Sequence, residues 1–282
     1  MDIRQIRIDA RTLYRKNRKI MIYSFYILGI LTMCFQILNS GWLILLTQIL
    51  LVTLPHGYVY ISLRVIQDQK ITSLRIRDIL IGIYDIFKYL PSYLTRMLAI
   101  YLSSFACLLP ALLISTPGSK ITTYDLMSQV VQYIVQRGVT FNFVVSQLFI
   151  LKPISFIFLF GSIVLYILLN ILFIFVPYIV EDYDYSWLEA LVKSIELIKG
   201  HQSELVHLIL SFVPNFVYYY LLLLLMQIPM YYLGTVGYII YLIISIIIQI
   251  RLFLAEYHLS IASFYLKIRD EKKEENELFK IK

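Results

Sequence analysis

The sequence predicts an all-α membrane protein with six transmembrane helices, short amphipathic helices at the membrane surface, and both termini in the cytoplasm. Of its 282 residues, 60% are hydrophobic and 15% are charged, whereas soluble domains carry roughly 25% charged residues. Several apolar runs reach the length of about 20 residues that a helix needs to cross a bilayer. The formal charge is +7, but Lys and Arg flank the apolar runs, as at the cytoplasmic rims of membrane helices. We therefore expect the lipid bilayer, and not nucleic acid, as a partner.

The first 19 residues predict a basic amphipathic helix ahead of the first span. They hold seven Lys and Arg residues, while Ile6, Ala10 and Leu13 recur on one helical face. An ordinary positively charged flank of a membrane helix explains this pattern. A second interpretation is a helix that lies on the membrane surface and binds anionic lipids.

Six apolar segments predict a single membrane domain over residues 20–266. They cover approximately residues 20–38, 42–63, 92–113, 153–179, 204–228 and 237–255. A tight turn at Asn39–Gly41 joins the first two, and Trp42 begins the second at the opposite interface. Pro55 predicts a kink in the second span, because proline removes a backbone hydrogen bond. His56 beside it is expected either to bond a freed carbonyl or to act as a ligand or proton site.

Two segments between spans are long enough to carry structure of their own. Residues 73–90 have apolar side chains at helical spacing, which predicts an inner surface helix that ends at Pro91. The outer segment 114–152 includes an apolar run at 141–151 that is too short to cross the membrane. This predicts an interfacial or re-entrant piece on the outer face.

Polar and charged residues interrupt the apolar sequence in the stretch Pro177–Gly200, between the fourth and fifth spans. Ser186 and Glu189 have the spacing of a capping box, which predicts a helix over 186–199. Gly200 suits the left-handed conformation that ends a helix. Because this helix is too short and too charged to span a membrane, we expect it to dock against the inner face.

The docking helix and the acids before it are expected to contact the inner rim. The predicted contact stripe consists of Trp187, Leu191, Ile195 and Ile198. The acids that interrupt the apolar run are Glu181, Asp182 and Asp184. We expect these acids to pair with basic residues of the inner rim such as Arg251 or Arg64.

The distribution of Lys and Arg predicts the orientation in the cell membrane. The segments 1–19, 64–96, 181–203 and 267–282 carry 21 of the 25 basic residues, and the outer segment carries Lys120, Arg137 and Lys152. Both termini are therefore predicted to be cytoplasmic. After the sixth span, we expect the helix to continue to Lys267 and the charged tail 267–282 to be solvated.

Four regions of the chain share residues with one family pattern. They hold Ala10, Arg11 and Leu13; Pro55, Gly57, Tyr60, Leu63 and Arg64; Tyr178, Asp182, Glu189–Leu191, Ser194, Lys199, Gly200 and Leu210–Phe212; and Tyr257 with Ala262–Tyr265. In these regions the chain resembles an uncharacterised bacterial family of integral membrane proteins, domain of unknown function 975. The resemblance implies six membrane helices and no established activity. The segment 114–152 looks like an insertion relative to that family.

Two groups of polar residues could carry metal or ligand chemistry. For both groups, however, the sequence favours a structural interpretation. Glu204 and His207 have the spacing used in di-iron bundles, which need a second such pair on a facing helix. The sequence offers no second pair, and it has no His pair of the zinc-peptidase type. We therefore expect polar residues where a helix enters the membrane, and neither metal nor cofactor. Cys34 and Cys107 lie in apolar runs and predict no disulfide or metal site.

The second polar group comprises Arg251, Glu256 and His258. Seven residues separate Arg251 from His258, so the two share a helical face, while Glu256 points away. Charges inside a membrane often mark an ion or substrate path. Arg251 lies near the inner end of the sixth span, however, where it can extend its guanidinium to the surface.

These features predict a non-enzymatic plasma-membrane protein that serves transport, export or an envelope complex as a component or regulator. A membrane protein or an ATPase is the expected partner. Three alternatives stay open. They are a small-solute or peptide transporter in its own right; a membrane-embedded enzyme that acts on lipids or peptides through His56, His207 or Glu256; and a self-immunity protein that meets a membrane-active peptide through segment 114–152.

Overall fold

The computed structural model describes residues 2–37, 44–68, 71, 74–113, 153–183 and 185–280. In these ranges the protein is helical and contains no strand. Six of the described segments are long and apolar enough to cross a membrane: Arg18–Phe35, Leu46–Asp68, Ile86–Pro110, Ile157–Asp182, Gln202–Met226 and Val236–Lys273. The all-α class with six apolar spans is thus confirmed. The predicted turn at Asn39–Gly41, Trp42, the segment 114–152 and Asp184 lie outside the described residues.

The described residues form the following helices in chain order. The first group is α1 (Ile3–Lys16), α2 (Arg18–Ile37), α3 (Ile44–Thr53), α4 (His56–Asp68), α5 (Ile76–Ile79), α6 (Ile81–Tyr84) and α7 (Ile86–Leu113). The second group is α8 (Pro153–Leu172), α9 (Val176–Asp182), α10 (Trp187–Ile198), α11 (Gln202–Leu210), α12 (Val213–Tyr232), α13 (Gly234–Gln249), a π-helical turn (Ile250–Leu254) and α14 (Ala255–Lys280).

Three of the predicted spans are interrupted next to a proline. The second span breaks between α3 and α4, where the amide of Gly57 donates to the carbonyl of Leu54 at 3.1 Å. The predicted kink at Pro55 is therefore confirmed. Pro177 lies in the first turn of α9, and Pro214 is the second residue of α12. Proline is tolerated in a first turn because its missing N–H has no helical acceptor there.

The predicted end of the inner helix at Pro91 is wrong. Residues 76–84 form the short helices α5 and α6, and α7 then runs through Pro91 to Leu113. Pro91 falls in the second turn of α7, so the carbonyl that loses its helical donor belongs to Phe87. The side chain of Phe87 is 90% exposed. The interruption therefore lies on an open side of the helix.

The chain divides into two compact units, residues 1–95 with 173–282, and residues 96–172. In the first unit, α14 packs against α1 and α4, and the buried core includes Met21, Phe25, Leu28, Leu54, Ile61, Ile250 and Leu259. In the second unit, the hydroxyl of Ser162 donates to the carbonyl of Ser104 at 2.8 Å. The ring contacts and ion pairs around His56, Glu181 and Asp182 all belong to the first unit.

The basic N-terminal helix packs on the protein through its apolar face. Ile6 and Ala10 are fully buried, and Asp2 caps the helix by accepting from the amides of Arg4 and Gln5. Arg4 and most other basic residues of the helix stay exposed. The apolar face that would enter a lipid surface is thus occupied by protein, and anionic-lipid binding by this helix stays a prediction.

The last helix is longer than a membrane is thick. From Gly234 to Lys280 the chain is helical throughout, which corresponds to roughly 70 Å at about 1.5 Å per residue. The hydrocarbon core of a bilayer measures about 30 Å. A large part of α14 must therefore extend beyond the membrane, and the predicted solvated tail 267–282 is helical as far as Lys280.

Candidate functional site

The fully buried imidazole of His56 contacts the carboxylate of Glu181. His56 is the first residue of α4, directly after Pro55, and its side chain is completely buried. Its Nε2 lies 2.8 Å from Oε2 of Glu181, near the end of α9. Its Nδ1 lies 3.1 Å from the hydroxyl of Tyr93. Because a carboxylate can only accept, Nε2 carries the hydrogen, and a neutral ring then accepts from Tyr93 at Nδ1.

Tyr89 completes what we call the His56–Glu181 cluster, namely His56, Tyr89, Tyr93 and Glu181. The Tyr89 ring stacks on the imidazole with centroids 3.8 Å apart. Its hydroxyl donates to Oε2 of Glu181 at 2.8 Å. Both imidazole nitrogens and Oε2 are thereby engaged within the cluster. Such an arrangement holds α4, α7 and α9 together at the point where two spans are broken.

Two glycines allow the backbones around His56 to approach closely. A Cβ on Gly82 would lie 2.0 Å from the carbonyl oxygen of Thr53 and 3.2 Å from Cβ of His56. A Cβ on Gly57 would lie 2.3 Å from the carbonyl oxygen of Ile79. Real Cβ atoms do not approach a backbone oxygen this closely. The short helices α5 and α6 are therefore seated against the break at Pro55 because these two positions lack side chains.

Asp182, the next residue after Glu181, faces a different helix. It accepts from the hydroxyl of Tyr265 at 2.9 Å and from Nη1 of Arg269 at 2.5 Å. Arg269 also contacts Asp270 on its own helix, at 2.8 Å. We call Asp182, Tyr265 and Arg269 the Asp182–Arg269 cluster. It ties the end of α9 to α14.

These contacts correct the predicted pairing of the acids with Arg251 or Arg64. Arg64 pairs with Asp78 at 2.9 Å and with Asp68 at 3.3 Å. Arg251 donates to the hydroxyl of Tyr26 at 3.2 Å. The pairing was wrong because both arginines meet partners on neighbouring helices, whereas α9 presents its acids to α4, α7 and α14.

The predicted capping box at the start of α10 is confirmed. The amide and the hydroxyl of Ser186 donate to Oε2 of Glu189 at 2.9 and 2.8 Å, and the amide of Glu189 donates to the Ser186 hydroxyl at 3.4 Å. These donors lower the pKa of Glu189 below its ordinary value, since they stabilise the ionised carboxylate. Gly200 has φ +95°, so the predicted left-handed stop after this helix is also confirmed.

The predicted contact stripe of α10 is only partly correct. Ala190, Leu191, Ser194 and Ile198 are buried. Trp187 and Ile195 belong to the predicted stripe but stay 45% and 43% exposed. The small residues Ala190 and Ser194 let the helix approach the protein closely, and this rotates the larger apolar side chains outward. Asp184, the third predicted acid, lies outside the described residues.

Glu256 joins the C-terminal helix to the N-terminal helix. Its Oε1 accepts from Nη2 of Arg7 at 2.8 Å and from Nε of Arg11 at 2.9 Å. The Arg7 guanidinium lies 4.3 Å from the centre of the Phe212 ring and donates to the carbonyl of Ser211 at 2.9 Å. Glu256 therefore has a structural role in the observed fold.

Arg251 and His258 both face α2, as their spacing predicted, and Glu256 faces α1. The ring of His258 stacks on Tyr58 with centroids 5.2 Å apart and meets the edge of Phe25 at 5.9 Å. Arg251 is exposed and contacts Tyr26, the neighbour of Phe25. Arg251 and His258 thus lie along one helix interface, Arg251 at the surface and His258 among aromatic rings.

The Glu204 and His207 pair does not form a metal site. Glu204 accepts from Nδ1 of His201 at 2.6 Å, while His207 is exposed. Among the described residues, no group of three His, Cys, Asp or Glu side chains is placed to hold a metal ion. The three residues considered for catalysis, His56, His207 and Glu256, have separate surroundings.

Sequence reasoning missed several partners in these clusters. Tyr89, Tyr93 and Arg269 were not singled out, and Tyr265 was named only in the family pattern, although Tyr265 and Arg269 share a helical face at a spacing of four. The same spacing relates Arg7 to Arg11, which share one carboxylate. Two donor side chains four residues apart on one helix are thus the sequence signal by which these acids could have been found.

No family model, curated protein or solved structure matches the chain. The resemblance to domain of unknown function 975 therefore stays a prediction.

Proposed function

We propose that the protein is a multi-pass plasma-membrane protein that acts without catalysis, as a component or regulator of a transport, export or envelope assembly. The observation that carries this proposal is one layer of contacts among the four basic segments. Arg7 of the first segment pairs with Glu256, and Asp9 lies 3.9 Å from Lys267. The amide of Ile71 donates to Asn17 at 3.0 Å, and Asp182 pairs with Arg269.

This layer supports a common side for the charged segments. Ion pairs and charged termini avoid hydrocarbon because transferring a charge out of water is costly. The excess of Lys and Arg in the same segments favours the cytoplasmic side. We therefore place both termini in the cytoplasm.

Two features favour an accessory role over chemistry. The His56–Glu181 cluster satisfies its own hydrogen-bonding groups, which suits a structural lock between broken helices. α10 presents Leu188, Val192 and Ile195 to its surroundings, each more than 40% exposed. An amphipathic helix at the membrane surface with such a face suits contact with lipid or with a partner's membrane helix.

The orientation is tested by labelling single cysteines in intact cells. Cys34 and Cys107 are replaced by serine, and one cysteine is introduced by Lys16→Cys or by Lys120→Cys. A membrane-impermeant maleimide is expected to label only the variant at position 120, and both variants after the cells are opened. Labelling of position 16 in intact cells would contradict the proposed topology.

The accessory role is tested by purification of the full chain from its native membranes. We expect a membrane-protein partner in fixed stoichiometry, lost in Leu188→Ser with Ile195→Ser and kept in the matched control Leu221→Ser with Leu225→Ser on α12. Purified protein alone in liposomes is expected to move no solute. A single-component preparation that moves protons or solute would overturn the accessory role.

A transporter in its own right is the second candidate, because the polar His56–Glu181 cluster lies at the break of the second span. Discontinuous helices with polar groups at the break are common at transporter binding sites. If this function holds, proteoliposomes with an internal pH-sensitive dye should report proton movement that His56→Ala and Glu181→Gln abolish. Absence of movement in the wild-type protein would remove this candidate for proton-coupled transport.

A further inference from the structure

A pocket of about 360 Å³ lies in the first unit between the end of α9, α10 and α14. We call it the inner pocket. Four cations contribute to its wall, namely Lys193 from α10 and Arg269, Lys272 and Lys273 from α14, and one carboxylate, Glu196, is also present. Pockets that bind small molecules measure roughly 300–1,000 Å³, so this one suits a compact group and not a long chain.

The wall of the inner pocket carries more positive than negative charge, with four cations and one carboxylate. Lys193 pairs with Glu196 at 2.6 Å. Arg269 pairs with Asp182 and Asp270, which are not part of the wall, at 2.5 and 2.8 Å. The four cations thus outnumber the three described carboxylates that pair with them. A concave surface with a positive excess concentrates anions.

The pocket also offers neutral donors and a fixed shape. The rings of Tyr183 and Tyr185 lie 5.2 Å apart at its edge. The ammonium group of Lys273 lies 5.5 Å from the centre of the Tyr183 ring. Lys272 donates to the backbone carbonyls of Glu196 and Lys199, which holds α14 against α10. Lysine and tyrosine donors around a rigid concavity match a group with several acceptor oxygens.

The neighbouring surface of α10 places the pocket beside lipid. Leu188, Val192 and Ile195 form the exposed apolar face of this helix. At about 100° per residue, Lys193 and Glu196 lie on the adjacent face. A helix with this division lies at the boundary between acyl chains and head groups. The inner pocket therefore opens at the level of lipid phosphates.

We propose that the inner pocket binds a phosphate group, the chemistry shared by anionic phospholipid head groups and soluble phosphates. Phosphate carries the acceptor oxygens that lysine and tyrosine donors require and the negative charge that offsets the positive excess. Basic pockets beside membrane helices are suited to this class of ligand. The proposal stands apart from the accessory role, since it rests on the pocket and not on a partner protein.

The test uses the full chain in nanodiscs of phosphatidylcholine with or without phosphatidylglycerol. Native mass spectrometry measures the phosphatidylglycerol retained by the protein. The pocket variant, Lys193→Gln with Lys273→Gln, is compared with Arg77→Gln with Lys267→Gln, which removes the same charge from exposed positions outside the pocket. We expect the pocket variant to bind at least roughly tenfold more weakly, as the loss of charged hydrogen bonds implies, and the control to bind as the wild type.

The source of the phosphate is distinguished by adding inorganic phosphate to both kinds of nanodisc. If phosphate fails to displace phosphatidylglycerol, the ligand is a lipid head group; if it binds in phosphatidylcholine nanodiscs and is lost in the pocket variant, the ligand is a soluble phosphate. Equal loss in both double variants, or no loss in either, would overturn the proposal. Lys193→Arg with Lys273→Arg, which keeps the charge, should retain binding.

Discussion

Glu181 and Asp182 are adjacent in the chain but belong to different environments. Glu181 contacts a fully buried imidazole and a tyrosine hydroxyl between broken spans. Asp182 contacts Arg269 on the helix that extends beyond the membrane. Successive helical residues point about 100° apart, so one turn of α9 serves two clusters. The difference shows how a short helix can join the interior of a bundle to its rim.

The two clusters also differ in which groups can still contact a residue after its partner is removed. Water does not reach the buried His56, so removing Glu181 leaves a polar ring in an apolar setting. Arg269 keeps Asp270 as a second acid and is partly exposed. We therefore expect the inner cluster to be the more sensitive of the two.

The largest effect is expected from Glu181→Ala. It removes the acceptor of His56 and of Tyr89. Each buried donor left without an acceptor costs about 1–3 kcal/mol, so the loss of both is expected to cost about 2–6 kcal/mol. The free energy of unfolding, measured by titrating the purified protein in mild detergent with dodecyl sulfate, should fall by that amount. Glu181→Gln keeps an acceptor oxygen and should cost clearly less. Wild-type stability in Glu181→Ala would refute the comparison.

The next largest effect is expected from Gly82→Ala, which disturbs the seat of His56. Its Cβ would lie 2.0 Å from the Thr53 carbonyl oxygen, and overpacking of this kind costs about 1–3 kcal/mol. Gly161→Ala is the matched control, because its nearest neighbour is Sγ of Cys107 at 3.5 Å. The same unfolding titration should show a loss for the first variant and none for the second.

A smaller effect is expected from Asp182→Asn at the rim. The amide still accepts from Tyr265, but the charged contact with Arg269 is weakened, which costs about 1.5 kcal/mol. A loss larger than that of Glu181→Ala would reverse the proposed order of the two clusters. Tyr265→Phe, which removes a single neutral hydrogen bond, serves as the reference.

The smallest effect is expected at the capping box, where pH is the informative variable. Because the pKa of Glu189 is lowered by the donors of Ser186, its contribution to stability is present above the ordinary pKa of glutamate. It is lost as the pH falls through the lowered pKa. Ser186→Ala should shift the pKa of Glu189 back toward its ordinary value, as measured by NMR. Glu196→Gln on the same helix should leave it unchanged.

Local signals were sufficient for much of the fold. The break at Pro55, the capping box and the left-handed Gly200 are each encoded within a few residues, so the sequence predicted them. The exposed position of Arg251 followed from its place in the sixth span. The sequence wrongly predicted a helix end at Pro91, because a proline stops a helix only where the preceding turn cannot give up a hydrogen bond.

The candidate site depended on contacts that no local pattern encodes. His56 and Glu181 lie 125 residues apart, and Asp182 and Arg269 lie 87 apart. Which helix an acid faces is decided by packing, as the close approach at Gly82 and Gly57 shows. The predicted stripe of α10 was only partly correct for the same reason, since Ala190 and Ser194 are buried while Trp187 and Ile195 are exposed.

The π-helical turn at Ile250–Leu254 has a consequence for how this chain can change length. Such a turn holds one residue more than an α-helical turn. The residues between α13 and α14 therefore do not follow one continuous α-helical repeat, and each helix keeps its own packing face. Deleting one residue from this turn would convert it to an α-helical turn without rotating Glu256 away from Arg7. The last helix can therefore lose a residue here while the contacts at both of its ends persist.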